Sequence, residues 1–142
     1  MFPTGNTFNS TEFSAGHARK VWREIRSQWP AGGKVSNISD WVSTGKIPAG
    51  TPAAWTCDAT TGAKSVKCFT DAQIAAAGTD PGLASLGING HIQEDIPIVN
   101  GDTIGTATVI NDGDIYEYML NADTVAALKG NAVNGYKVVF VQ

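Results

Sequence analysis

IGTATVINDGDIYEYM, residues 104–119, alternates β-prone and polar side chains around an Asp112-Gly113 pair. An Asp-Gly pair between two such runs is a strong short-range signal for a two-residue hairpin turn. The pattern predicts a hairpin over 104–119. Val109 then faces Tyr116 and Ala107 faces Tyr118 on one side, with Thr108 and Glu117 on the other. Downstream, Asn121 is a predicted N-cap for a helix from Ala122 to Lys129, with Asp123 in its first turn and Gly130 behind its end. Asn134-Gly135 then turns the chain into a last strand, Val138–Val141.

Working upstream, residues 86–93 (LGINGHIQ) read as a strand, with Ile96 and Ile98 near the next edge. Thr70-Asp71-Ala72-Gln73 is a capping box that opens a short helix, Ile74 to Ala77, ended by Gly78. Residues 53–70 read as a hairpin with Thr61–Lys64 near its tip. A register pairing Cys57 with Cys68, Asp58 with Lys67 and Ala59 with Val66 puts Trp55, Cys57, Ala59, Val66 and Cys68 on one apolar face. As cross-strand neighbours, Cys57 and Cys68 are expected to be packed thiols in a reducing cytoplasm and a disulfide in an oxidising medium.

The first third of the chain is punctuated differently. Val35, Ile38, Trp41 and Val42 line a predicted short helix that ends at Gly45, and Ile47-Pro48-Ala49-Gly50-Thr51-Pro52 makes a rigid turn into a strand. In residues 14–29, Ala18, Val21, Trp22, Ile25 and Trp29 recur at helical spacing, with Ser14 as N-cap and Pro30, Gly32 and Gly33 as the stop. This amphipathic helix either packs on its own domain or docks on a partner. Residues 1–13 look like an extended arm whose Phe2, Phe8 and Phe13 need burial on this chain or another.

Composition agrees with a folded, turn-rich chain. The 142 residues include 16 glycines and 6 prolines, with 42% hydrophobic and 16% charged residues, and a net charge of −3. The fold class expected is mainly β (α+β): a compact β-barrel-like body of hairpins with two short helices over 46–142, preceded by an arm and amphipathic helix over 1–45. The N-terminal third is basic and the remainder acidic, so the arm and helix, with Arg19, Lys20, Trp22, Arg23 and Arg26, are the expected anchor to another surface. No secretory signal and no apolar run long enough to span a membrane are seen, so synthesis in a cytoplasm is expected. The sequons at Asn9 and Asn37 would then be silent.

Catalytic signatures are missing. His17 and His91 are far apart, and no G-x-S-x-G motif supports a nucleophile. Two cysteines eleven positions apart and two distant histidines do not make a zinc set. Neither Gly33-Lys34 nor Gly45-Lys46 belongs to a phosphate loop. Asn111–Asp114 lacks the alternating ligands and distal glutamate of a calcium loop. Glu94-Asp95 is a carboxylate pair without a visible partner. The basic face over Arg19–Arg26 carries no nucleic-acid motif. No cofactor, metal, nucleic acid or membrane is expected, and the chain reads as a docking and assembly protein. Small-hydrolase activity is a distant rival. A receptor- or glycan-binding β module, with Trp41, Trp55, Tyr116 and Tyr118 stacking on sugars, is the closer one.

Five strings in order, IPAGTPAAW (47–55), FTDAQIAAAGTD (69–80), LGINGHIQEDIPI (86–98), GTATVINDGDIYEYML (105–120) and VVFVQ (138–142), together resemble tailed-bacteriophage head fibre proteins. More loosely, they are similar to small trimeric capsid decoration proteins. The resemblance covers about residues 46–142. It implies a homotrimer on the outer capsid surface of a virion, clamping the major capsid protein or carrying a fibre, with other virion proteins as further partners. The positions it carries over are structural: Pro48, Gly50 and Pro52 in the first turn, Gly87, Ile88, Glu94 and Asp95 around the central strand, and Gly113, Tyr116 and Tyr118 in the long hairpin. Head fibre proteins often continue into a repetitive shaft. This sequence has no heptads or repeats, which favours a base or knob. Deleting residues 1–30 is expected to spare the fold of 46–142 and abolish particle binding.

Overall fold

Asp112 and Gly113 do not turn the chain. In the computed structural model, which describes residues 21–78, 84–103, 106–129, 131, 133 and 135–142, they lie in the middle of one continuous strand, Val109–Tyr116. The predicted hairpin over 104–119 is therefore replaced by a single central strand. Glycine is needed here by the adjacent backbone first and by the Trp22 indole second. A Cβ at residue 113 would lie 3.2 Å from Trp22 Cζ3 and 2.7 Å from the Glu24 carbonyl oxygen. Glycine here makes room for a ring and a neighbouring backbone, which is the other use of glycine in strands.

Among the described residues the strands are β1 (Trp22–Gln28), β2 (Lys34–Val35), β3 (Lys46–Ile47), β4 (Pro52–Cys57), β5 (Lys64–Cys68), β6 (Gly90–Ile92), β7 (Ile96–Val99), β8 (Asp102–Thr103), β9 (Val109–Tyr116) and β10 (Lys137–Val141). Two helices, α1 (Asp71–Ala77) and α2 (Ala122–Leu128), follow β5 and β9. Seven strands form one sheet in the order β1-β9-β6-β4-β5-β2, with β10 added parallel to β9. A second sheet has the order β3-β7-β8. The larger sheet is open and not closed into a barrel, which corrects the barrel-like expectation while keeping the mainly β class.

The predicted helix over 14–29 is also corrected. Its described part is β1, antiparallel to β9, and residues before 21 lie outside the described residues. The ladder pairs Trp22 with Ile115, Glu24 with Asp114 and Ile25 with Gly113, with a register shift between Trp22 and Glu24. The extra residue in this bulge sets Trp22 and Ile25, three positions apart, on one face of the sheet. A bulged strand thus imitates helical spacing. Strands β1 and β2 belong to the large sheet.

Other elements follow the sequence more closely. Both halves of the Thr70–Gln73 capping box are made, at 3.2 Å to Gln73 N and 2.9 Å from Thr70 N. The Asn121 side chain accepts from Asp123 N and Thr124 N. The segment over 38–45 is shorter than predicted, a 3-10 turn at Ile38–Asp40, with Val35 in β2 and Val42 exposed. Strands β4 and β5 form the expected hairpin with Trp55, Val66 and Cys68 inward, but in a register that pairs Ala53 with Cys68, Trp55 with Val66 and Cys57 with Lys64, which leaves Cys57 and Ala59, expected on the same face, exposed.

Apolar side chains among the described residues gather in three clusters. One, under β4, β5, β6 and β9, holds Val35, Trp41, Ile47, Val66, Cys68, Ile92 and Val109. A second lies beneath the two helices, with Phe69, Ile74, Ile88 and Leu128. The third joins Val21 and Trp22 to Ile110, Ile115 and Val138.

Candidate functional site

Two of the strings that carry the resemblance, 47–55 and 86–98, meet in space. Gly50 N donates to Ile92 O at 2.8 Å, Ile92 N donates to Thr51 O at 2.9 Å, and Asp95 Oδ1 accepts from Ala49 N at 2.7 Å. Lys46 Nζ lies 3.3 Å from Asp95 Oδ2. Within the turn, Thr51 donates to Pro48 O through both its amide and its hydroxyl, at 3.2 and 2.6 Å. Pro48 and Pro52 hold the ends of the turn while Gly50 supplies a positive φ of 87°. A groove of about 490 Å³ opens beside it, lined in part by Trp41, Pro48, Phe69, Met119 and Leu120.

His91 locks this junction from inside. It is fully buried, with Nδ1 2.8 Å from Gly50 O and Nε2 2.7 Å from the Tyr136 hydroxyl. A carbonyl only accepts, so Nδ1 carries the proton and the Tyr136 hydroxyl donates to Nε2. Trp22 and Phe140 meet the imidazole edge-on. Burial favours the neutral ring and lowers its pKa to about 4, against a smaller opposing effect of the Gly50 hydrogen bond. Both ring nitrogens are engaged, so neither is presented to an outside substrate. His17 lies outside the described residues.

The anchor residues named from sequence separate into two groups. Phe2, Phe8, Phe13, Arg19 and Lys20 lie outside the described residues. Trp22, Arg23 and Arg26 are on β1. Trp22 is buried, and its Nε1 donates to Ile92 O at 3.3 Å. Arg23 and Arg26 converge on the buried Asp114: Arg23 pairs through Nη2 with Oδ2, and Arg26 Nη2 lies 2.9 Å from Oδ1. Arg26 also reaches Asp112 and Glu24, each at 2.9 Å. These hydrogen bonds, Arg26 first and Arg23 second, hold the Asp114 carboxyl below the usual carboxylate range. Arg23 and Arg26, read from sequence as part of a basic docking face, are thus matched by carboxylates, chiefly those of the adjacent strand β9.

The aromatic residues also divide. Trp41 is buried with Nε1 3.2 Å from Cys68 O. Trp55 stacks on Trp29 at 4.8 Å between ring centroids and 5° between planes. Each indole N–H of that pair is bound, Trp29 to Asn89 O and Trp55 to Gly32 O. The Tyr116–Tyr118 pair, 5.5 Å apart, is different: it keeps a ring in solvent, with Tyr118 69% exposed.

No family model matches the sequence, and neither the curated proteins nor the solved structures provide a match.

The cysteines are not cross-strand neighbours. Cys57 is exposed opposite Lys64, and Cys68 is buried opposite Ala53. Four residues of strand separate the two rungs, about 13 Å at 3.3–3.4 Å per residue. A disulfide needs Cα atoms within about 7 Å. Burial pushes the Cys68 thiol up to about 12. A thiol reagent is therefore expected to label one cysteine rapidly in the native chain and two after denaturation. Mild oxidation of the native monomer should form no internal disulfide. Two rapid labels, or a faster-migrating oxidised monomer on a non-reducing gel, would contradict this register.

Sequence reasoning missed the His91–Gly50–Tyr136 contact and the carboxylate partners of Arg23 and Arg26. The second had a signal. Asp112 and Asp114, two apart, fall on one face of any regular strand. The turn reading hid that spacing.

Proposed function

We propose that the chain is a non-catalytic virion structural protein that binds the outer surface of a phage capsid, as a decoration protein or the base of a head fibre. Its partner is the major capsid protein and its working form a homotrimer. The observation that supports this reading is the junction of strings 47–55 and 86–98, two of the five on which the resemblance rests. His91 and Gly50 are 41 positions apart yet in direct hydrogen bond, and Asp95 binds Ala49. These two segments thus form one structural unit of this chain. An interior histidine with both ring nitrogens engaged, and Arg23 and Arg26 paired with Asp112 and Asp114, suit a protein whose work is done by its surface.

Anchoring in this reading falls to the segment ahead of Val21, with Phe2, Phe8, Phe13, Arg19 and Lys20. Three such segments on one trimer would bind far more tightly than one, through effective concentration. The deletion that tests it is residues 1–20. Removing 1–30 would take away β1 and the lid over Gly113. The 1–20 deletion is expected to keep the far-UV spectrum and melting temperature and to lose co-sedimentation with capsids that lack the protein. Equal co-sedimentation would overturn the anchor assignment. Failure of the full chain to bind any such capsid would overturn the function. Light scattering giving three times the chain mass for both forms would place the trimer contacts in residues 21–142.

A further inference from the structure

We infer that the cleft beside Tyr118 binds a neutral saccharide, a role separate from capsid docking. Tyr118 stands on the 3-10 turn Glu117–Met119 between β9 and α2. Its ring is 69% exposed and is braced on one side by Tyr116 at 44° between planes. It overlooks a cleft of about 630 Å³ whose apolar lining comes from Leu120 and from Ala122, Val125 and Ala126 of α2. Val125 and Leu128 are buried and fix that helix to the body. The polar lining is Glu117, Lys129 and Gln142.

These three side chains form a small network. Glu117 Oε2 lies 3.0 Å from Lys129 Nζ, and Glu117 Oε1 accepts from Gln142 Nε2 at 3.5 Å. The carboxylate keeps lone pairs on both oxygens, and the ammonium and amide supply further donors. Charge decides the class of ligand. Glu117 and Lys129 neutralise each other, so an anionic or cationic ligand would have to compete with an existing ion pair. A polyhydroxylated ring needs both donors and acceptors and no net charge, and it offers a C–H face to an aromatic ring. Trp41 is buried and one face of Trp55 is covered by Trp29, so Tyr118 is the most exposed of the aromatic residues named for sugar stacking.

The experiment uses the intact chain and an immobilised panel of oligosaccharides: neutral hexose oligomers, neutral N-acetylhexosamine oligomers and acidic oligosaccharides. Bound members are then titrated in solution. At least one neutral class is expected to bind, and Tyr118→Ala to weaken it by at least about tenfold, the scale of one lost aromatic contact. Tyr118→Trp should retain binding. The exposure of Tyr118 makes an unchanged melting temperature the expected control for both variants. No neutral binding at roughly 1 mM ligand, binding confined to acidic members, or equal binding by Tyr118→Ala would each overturn the inference. Capsid co-sedimentation of Tyr118→Ala should be normal. Its loss would assign this face to the capsid and overturn the saccharide reading.

Discussion

Replacing Gly50 by alanine is expected to destabilise the chain by roughly 3 kcal/mol, on the order of 10 °C in melting temperature. Two independent costs meet there. A backbone at φ 87° is one that an L side chain rarely adopts. The added methyl would also lie 2.8 Å from Leu120 Cδ2, 2.9 Å from Val21 Cγ1 and 3.3 Å from Ile115 Cδ1. Those atoms are the ends of side chains, but Val21 and Ile115 are buried in a filled cluster, so they cannot yield without disturbing Trp22 and Ile110. Gly45 provides the control. It has a similar φ of 81°, and a methyl group there would meet nothing within 4 Å. Gly45→Ala should therefore show only the backbone cost, about 1 kcal/mol. Urea unfolding of the two variants separates the effects. Equal losses would mean that the packing of Val21 and Leu120 over the turn contributes nothing.

Much of the fold is legible in the sequence because local chemistry determines it. The capping box at Thr70, the Asn121 cap and the turn at Pro48–Pro52 each satisfy backbone groups within a few residues, so the sequence alone specifies them. The hairpin of β4 and β5 is legible as a face but not as a register. A shift of four in the pairing keeps the parity of the strand, so Trp55, Val66 and Cys68 are assigned inward correctly, but it carries Cys57 and Ala59 beyond the core into solvent. The long-range features are the ones that escape. Gly113 reads as a turn residue until Trp22, 91 positions away, is seen to need its space. Residues 22–25 read as helical until β9 supplies the ladder in which a bulge is possible. Likewise, Arg23 and Arg26 read as a free basic face as long as their partners, Asp112 and Asp114, are assigned to a turn. Each error has the same origin: a residue whose conformation is set by a distant strand is interpreted from its neighbours. The His91 contact has no local signal at all, since a histidine between two isoleucine-containing strings is compatible with either a core or a surface position.

Acidification from pH 7.5 to pH 5 is expected to cost the native chain about 2 kcal/mol through His91 alone. The sign follows from the protons bound by each state. In the unfolded chain a histidine titrates near 6.5, whereas burial holds the native imidazole near pH 4. Between these values the unfolded chain carries a proton that the native chain does not, so stability falls as pH falls. The loss begins near pH 6.5, grows to roughly 3 kcal/mol by pH 4, and then levels off for this group. The geometry explains why the native ring resists the proton. The second proton would go on Nε2, so the Tyr136 hydroxyl that now donates there would have to turn and accept, and the charge would sit in a fully buried ring. Trp22 and Phe140 meet the ring edge-on and supply no carboxylate to pair with the charged form, so the loss of solvent dominates. Asp114 depends on pH in the same direction, because its carboxyl is held low by Arg26 and Arg23, but that contribution is lost at a lower pH. Comparing the native chain with His91→Gln isolates the histidine. The variant should be less stable at pH 7.5, since glutamine cannot satisfy Gly50 O and Tyr136 with the same geometry, yet it should lose markedly less on going to pH 5. Parallel pH profiles for the two proteins would show that His91 is not the neutral, buried link between the Gly50 turn and Tyr136.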